Sequence, residues 1–232
     1  MKKPNNIALI FFSRTKADEA RQKSWFRVKS KNQELAQLLI ERASSAIKAS
    51  GIPVFHFDEQ KQIGNSFGER IANAYQEVFD LGYEQVISVG NDCPDLKNIN
   101  WEEITQALSS GKSVLGPDIR GGAYLIGIQK TEFDKTKFEN LSWQKNTLYS
   151  GLKEFCSSTS KLTELTQFRD LNSLHDIQII SFARTSEDHF FKLISRLLIS
   201  RIQSPVESKT THHDFHIFKD SPLRAPPFLK AS

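Results

Sequence analysis

Glu84-Gln85-Val86-Ile87-Ser88-Val89-Gly90-Asn91-Asp92-Cys93-Pro94-Asp95-Leu96 is the stretch on which the fold turns. Val86 to Val89 is an apolar run of strand length that stops at Gly90 and opens into an acidic loop. A short helix follows, then a second apolar strand, Ser113-Val114-Leu115-Gly116-Pro117, the turn Asp118-Ile119-Arg120-Gly121-Gly122, and a third strand from Ala123 to Ile128. Strand, acid loop, helix, strand, Gly-Gly turn, strand is the order of an open α/β sheet, which binds ligands beyond the carboxyl ends of its strands. Carboxylates held at such an edge imply a charged small ligand.

Upstream, Ile7 to Ser13 reads as a first strand. It leads into a segment carrying Arg14, Lys16, Arg21, Lys23, Arg27, Lys29 and Lys31 against only Asp18 and Glu19. The segment reads either as a basic phosphate-binding loop or as a solvated connection. Leu35, Leu38, Leu39, Ile40, Ala43, Ala46 and Ile47 recur at helical spacing, with Ser50-Gly51 as the stop, and Pro53 to Phe57 gives the second strand. These elements form one β-α-β unit, so the two strands are expected to be parallel. Ser66 and Glu69 have the spacing of a capping box for a helix whose buried stripe is Phe67, Ile71, Ala74, Tyr75, Val78 and Phe79. The alternation predicts a doubly wound, mostly parallel sheet.

Composition narrows the function. The chain has 232 residues, 38% hydrophobic and 25% charged, enough for one large α/β domain with a substantial core. Its 31 basic and 27 acidic residues give a net charge of +4, too balanced for a dedicated nucleic-acid binder and compatible with an anionic small ligand. Two cysteines, Cys93 and Cys156, form no disulfide pattern and suit a reducing compartment. Met1-Lys2-Lys3 before Ile7 to Phe12 has the flavour of a signal peptide, but the apolar run is short and meets Arg14 without a cleavage site. The expectation is a cytoplasmic protein without a membrane span.

Asp92 is the sharpest candidate. A carboxylate directly after a buried strand, in a turn stiffened by Pro94, is placed to hold a hard divalent cation whose remaining ligands are waters and phosphate oxygens; the alternative is a turn or cap acid. Asp95, so close by, reads as a supporting or turn residue, since two carboxylates without a cation repel.

The ordered series of motifs resembles a known family. Gly64-Asn65-Ser66-Phe67-Gly68-Glu69-Arg70, Gly90 to Leu96, Leu115-Gly116-Pro117, Gly121-Gly122-Ala123-Tyr124-Leu125-Ile126-Gly127, Leu141-Ser142-Trp143 and Asp170-Leu171-Asn172 are similar to the uncharacterised glycosyltransferase-A-type family (DUF2064-like) of the nucleotide-diphospho-sugar transferase superfamily. The resemblance covers roughly Ile7 to Ile180. It implies a Rossmann-like, mostly parallel sheet binding a nucleotide sugar through Mg²⁺ or Mn²⁺. The implied reaction is transfer of the sugar to an acceptor; nucleotidyl transfer from a nucleoside triphosphate to a phosphorylated small molecule, or nucleotide binding without catalysis, are the alternatives. By position, Asp92 matches the metal-binding aspartate and Asn172 the second ligand of an Asp-x-Asp run, where asparagine can still offer a carbonyl oxygen. A local alternative exists for that segment, because Ser173 and Asp176 have capping-box spacing.

Ser13, Arg14, Lys16, Lys23, Gly68 and Arg70 are the expected nucleotide- and phosphate-binding residues. Gly121, Gly122, Tyr124, Trp143 and Asp170 are expected on the substrate, with Trp143 on the acceptor side; wedging between helix and sheet is its structural alternative. No catalytic residue is assigned; Asp95 and Asp118 are the candidates. Two departures stand out: Arg120 replaces the family's aspartate before Gly-Gly, and the Gly-x-Val-Lys-Thr-Arg-Leu phosphate loop is missing.

The domain is expected over residues 5–182. An amphipathic helix built on Phe190, Phe191, Leu193, Ile194, Leu197, Leu198 and Ile202 should follow within 183–203, packing on the domain or forming a homodimer, with an extended tail over 204–232. A late strand is expected from Lys161 to Phe168, and a helix of about a dozen residues from Asn146. His212, His213, Asp214 and His216 in the tail read as a solvated polar segment rather than a metal site.

Overall fold

A computed structural model of the chain describes residues 6–157, 161–183 and 188–199; the proline-containing tail and its histidines lie outside the described residues. The elements run β1 (Ile7–Phe12), α1 (Lys16–Gln22), α2 (Lys29–Lys48), β2 (Val54–Phe57), α3 (Phe67–Asp80), β3 (Gln85–Val89), α4 (Trp101–Ser109), β4 (Ser113–Pro117), β5 (Ala123–Gln129), α5 (Lys135–Glu139), α6 (Leu148–Ser157), β6 (Leu162–Glu164), α7 (Leu174–Ala183) and α8 (His189–Ile199), with a 3-10 turn at Pro94–Asn98. Six strands form one sheet in the order β2-β1-β3-β5-β4-β6. The expected mostly parallel α/β sheet is the observed one: β1 lies parallel to both β2 and β3, and β4 parallel to β6.

Strand periodicity divides the core. Ile7, Leu9 and Phe11 of β1 face one layer with Ala43 and Ile47 of α2 and Ile104 and Leu108 of α4. Ala8 and Ile10 face the other, with Ile71, Tyr75 and Phe79 of α3, Phe138 of α5 and Leu152 of α6. Alternate side chains point to opposite faces, so one strand serves two helical layers. The Tyr75 ring is completely buried, and its hydroxyl lies 2.7 Å from the Ile126 carbonyl oxygen and 2.8 Å from Ser88 Oγ. The α3 start is capped by Ser66 Oγ, which accepts from Glu69 N at 3.0 Å, while the Glu69 carboxylate accepts from Asn65 N at 2.6 Å. The box therefore forms with its return bond one residue early.

Three local expectations change. The basic segment after β1 is not one loop: α1 occupies its middle, with Asp18 and Glu19 in the first turn, Arg21 in the last, and Ala20 buried. That charge order suits the helix dipole. Strand β5 is antiparallel to both β3 and β4, because the Gly-Gly turn joins it to β4 too tightly for the crossover a parallel pair needs. The late strand shrinks to β6. Beyond the pair Leu115↔Glu164 the ladder meets Pro117, which has no N–H to donate, and resumes only as an isolated bridge between Asp118 and Phe168.

The apolar face of α8 packs within the chain. Phe190, Phe191, Ile194 and Leu197 join Leu35 and Leu39 of α2 and Ile177 and Ile180 of α7 in a third cluster. Arg42 holds the helix start, pairing with Asp188 at 2.8 Å and lying 4.2 Å from the Phe190 ring centroid. Lys97 ion-pairs with the same carboxylate.

Candidate functional site

Beyond the carboxyl ends of β1 and β3, where antiparallel β5 begins, lies a cleft of about 700 Å³. That volume suits a small ligand. Ser13 and Arg14 follow β1, Glu19 and Lys23 come from α1 and its cap, Asn91 and Asp92 follow β3, and Asp118, Arg120 and Gly122 come from the β4–β5 turn. Asp170 and Asn172 reach the same space from the segment before α7. Phe12, Phe67 and Trp143 line it as a connected aromatic wall, with centroids 5.5 Å apart for the first pair and 5.4 Å for the second.

Backbone bonds bring the distant acids together. Leu171 N donates to Asp92 O at 2.9 Å, and the buried Trp25 indole donates to Leu171 O at 2.8 Å. Asp118 completes the bracket: its Oδ1 accepts from Asp170 N at 3.1 Å and its Oδ2 from Arg120 N at 2.9 Å. Asp118 is thus fully engaged in positioning the turn and the incoming segment. Asp170 Oδ1 is buried with no hydrogen-bond partner among the described residues. Burial first, then the charges of Asp92 and Asp118, hold the Asp170 carboxyl well above the usual carboxylate range, against the pull of Lys23 and Arg120. Such an orphaned oxygen beside a second carboxylate is a demand for positive charge.

Three of the basic side chains nearby are already committed. Lys23 Nζ ion-pairs with Asp92 and lies 3.2 Å from Glu19 Oε1. Burial lowers the Lys23 pKa, but the charges of Asp92 and Glu19 outweigh it and raise it above the ordinary value. Arg14 pairs with Asp18 at 2.5 Å. Arg120, which departs from the family pattern, ion-pairs with the fully buried Asp176. Asp176 also receives Ser173 N at 2.9 Å and returns its own N–H to Ser173 Oγ at 3.3 Å, so the capping box read from the sequence forms.

Two glycines fit the loop before α6 onto the site. A Cβ on Gly68 would stand 2.0 Å from Glu139 O, and one on Gly121, whose φ is +82°, would stand 1.9 Å from Asn146 O. Only glycine lets these backbones meet. Gln144, beside Trp143, takes φ +60°, a conformation side chains usually avoid, and lines the cleft. Trp143 donates its indole N–H to Phe138 O at 2.8 Å and packs on Phe67 and Phe138, so it is both wedge and cleft wall.

The predicted residues separate accordingly. Ser13, Arg14, Lys23, Asp92, Asp118, Gly122, Tyr124, Trp143, Asp170 and Asn172 all line the cleft. Asn172 does so as an exposed residue, while Tyr124 is buried and donates its hydroxyl to Thr166 O at 2.9 Å. Gly68, Arg70 and Gly121 do not line the cleft. Lys16 is exposed and bonds Gln37 at 3.3 Å. Asp95 is buried in the 3-10 turn, where it accepts from Asn98 at 3.0 Å. Cys93 packs in the core beside β3, and burial pushes its thiol far above the ordinary value, followed by the Asp170 charge. Sequence reasoning missed Glu19, Asn91 and Trp25. The i,i+4 spacing of Glu19 and Lys23 was the available signal for the first.

Does this donor set suit a hard divalent cation? Among the described residues no group of three or more His, Cys, Asp or Glu side chains is placed to hold a metal ion. Asp92 and Asp170 offer oxygen donors only, which fits Mg²⁺ or Mn²⁺ completed by waters and ligand phosphates.

The fold is an α/β fold of the glycosyltransferase-A type. Residues 37–145, from α2 to the Trp143 loop, match the profile of a family described as "Uncharacterized protein conserved in bacteria (DUF2064)", and the chain is similar to that family as the motif series implied. A crystal structure provisionally named as a nucleotide-diphospho-sugar transferase, from Desulfovibrio desulfuricans G20, superposes with a TM-score of 0.71 at 18% identity, covering 83% of this chain and 95% of its own. Two remoter structures are a glycosyltransferase involved in glycosylation of the major capsid of PBCV-1 (TM-score 0.40, 12% identity, 68% of this chain and 82% of its own) and Rv0371c of Mycobacterium tuberculosis H37Rv in complex with manganese (0.41, 11%, 75% and 97%). Likeness at these identities speaks to fold, and the last two are too distant to weigh further. No curated protein matches the sequence. No helix among the described residues is long and apolar enough to cross a membrane.

Proposed function

We propose that the cleft binds a nucleotide-diphosphate sugar together with Mg²⁺ or Mn²⁺ and transfers the sugar to an acceptor. The observation that carries this reading is the buried, unpartnered oxygen of Asp170 in a cleft that Asp92, Arg14 and Lys23 also line. An anionic ligand and a divalent cation together satisfy both signs of charge there; either alone leaves one sign unmatched. Asp92 and Asp170 would hold the cation, with Asn172 at the exposed rim as a neutral oxygen donor. When bound, the cation offsets the charge on the departing diphosphate. Lys23 and Arg14 would hold phosphate oxygens, Asp118 would keep Asp170 and the Gly-Gly turn in register, and the Phe12, Phe67 and Trp143 wall would exclude water from one side.

The same charge arrangement would accept a nucleoside triphosphate, so nucleotidyl transfer is the second reading. Incubation with Mn²⁺ and, in parallel, a panel of nucleotide sugars or of nucleoside triphosphates, followed by product analysis, tests both. Release of nucleoside diphosphate supports sugar transfer, whereas release of pyrophosphate from a triphosphate replaces it with nucleotidyl transfer. Asp92→Ala should abolish cation-dependent nucleotide binding, and Asn172→Asp should preserve or tighten it. An unchanged nucleotide affinity in Asp92→Ala would remove the metal from the reading and favour a non-catalytic nucleotide-binding protein.

A further inference from the structure

Lys23 occupies an unusual place. It follows α1 as its cap residue, with backbone N–H bonded to Glu19 O at 2.9 Å, and its ammonium lies between the carboxylates of Glu19 and Asp92. The side chain is only 22% exposed, and the ammonium lies 5.7 Å from the Trp25 ring centroid. Trp25 is the same residue whose indole holds Leu171, and Leu171 in turn bonds Asp92 O. One local unit therefore fixes the ammonium, the Asp92 loop and the Asp170 segment against each other. Arg14 and Arg120 have their own carboxylates, Asp18 and Asp176. Among the described residues, Lys23 is the basic side chain ion-paired to Asp92.

We propose that Lys23 is an internal counter-ion that holds the Asp92–Asp170 site in the free protein and gives it up to a divalent cation when an anionic diphosphate arrives to take the ammonium. The inference rests on the cation-and-nucleotide reading above and adds a binding order to it. A single ammonium is shared by Asp92 and Glu19 and leaves Asp170 Oδ1 unpartnered, so the site is incompletely neutralised. A divalent cation satisfies both acids, yet entering alone it leaves the ammonium with Glu19 as its one carboxylate and next to the incoming charge. A diphosphate removes that penalty, because the flexible lysine stem lets the ammonium turn to phosphate oxygens. Cation and diphosphate then favour each other's binding by the same factor, as linkage requires.

The test uses Mn²⁺ alone as probe, with free ion followed by electron paramagnetic resonance, on the full chain and on Lys23→Met, Lys23→Gln and Lys23→Arg. With the ammonium removed and the acids left, Lys23→Met and Lys23→Gln should bind Mn²⁺ tenfold or more tightly than the unaltered protein. Lys23→Arg should stay close to it, and Asp92→Ala combined with Lys23→Gln should lose the gain. In the unaltered protein, saturating uridine or guanosine diphosphate should tighten Mn²⁺ binding, and in Lys23→Gln this coupling should shrink. Unchanged or weaker Mn²⁺ binding in the two neutral variants overturns the proposal, as does a complete absence of Mn²⁺ binding in every form. Because the decisive comparison contains no nucleotide sugar and no turnover, it stands or falls separately from the transfer reaction.

Discussion

Replacing Gly121 with alanine tests whether the Gly-Gly turn is required by close approach or merely by backbone shape. Gly121 has φ +82° and would place a Cβ 1.9 Å from Asn146 O, whereas Gly111 has φ +79° with nothing within 4 Å of its would-be Cβ. The two sites share the conformational penalty, roughly 1–2 kcal/mol for an L residue in the left-handed region. They also share the gain from a stiffer unfolded chain, about 0.4–1 kcal/mol. Those contributions cancel in a comparison. What remains at Gly121 is overpacking against backbone, about 1–3 kcal/mol, and strain on the bond from Tyr149 N to Gly121 O at 2.8 Å. Gly121→Ala should therefore be less stable than Gly111→Ala by about 1–3 kcal/mol, or roughly 2–4 °C in Tm for each kcal/mol in a chain of this size. Equilibrium urea unfolding of both variants, followed by tryptophan fluorescence, measures it. Equal midpoints would refute the claim that this turn and the Trp143 loop are pressed together.

Tyr75→Phe removes a hydroxyl placed between Ser88 Oγ and the Ile126 carbonyl in the completely buried core, and should cost about 1–2 kcal/mol in urea unfolding. The α8 clamp has a pH signature. Hydrogen bonds from Arg42, opposed by burial and then aided by Lys97, hold the Asp188 carboxyl well below its ordinary range. A depressed carboxylate contributes stability that is fully present above its unfolded value of about 3.9 and is lost as pH falls through the lower folded value. Asp188→Asn should accordingly unfold at lower urea than the unaltered protein at neutral pH, with the gap closing as pH drops below about 4. A gap that is constant with pH would mean the clamp does not depend on the Asp188 charge.

Much of the fold was legible in the chain, because it depends on short-range periodicity. The apolar runs gave β1, β3, β4 and β5, the helical spacing of Leu35 to Ile47 gave α2, and Ser66 with Glu69 marked the start of α3. These signals are local. A strand's alternation and a helix cap are complete within a few residues, so no distant contact is needed to read them. The sequence likewise put Asp92 at a strand end, since a carboxylate after a buried run has little choice but to sit at the sheet edge.

Tertiary structure alone decided which charges meet. Lys23 and Asp92 are 69 positions apart in the numbering of the chain (92 minus 23), and nothing local to either predicts their ion pair. Arg120 looked like a lost acid at the site until its guanidinium reached Asp176 in the cap of α7. Asp170 and Asn172 are two residues apart, yet the bond from Leu171 N to Asp92 O sets the first against the acid pair and leaves the second exposed. The physical reason is common to all of these. Electrostatic and steric outcomes depend on distances between segments remote in sequence, and those distances exist only once the sheet has been assembled.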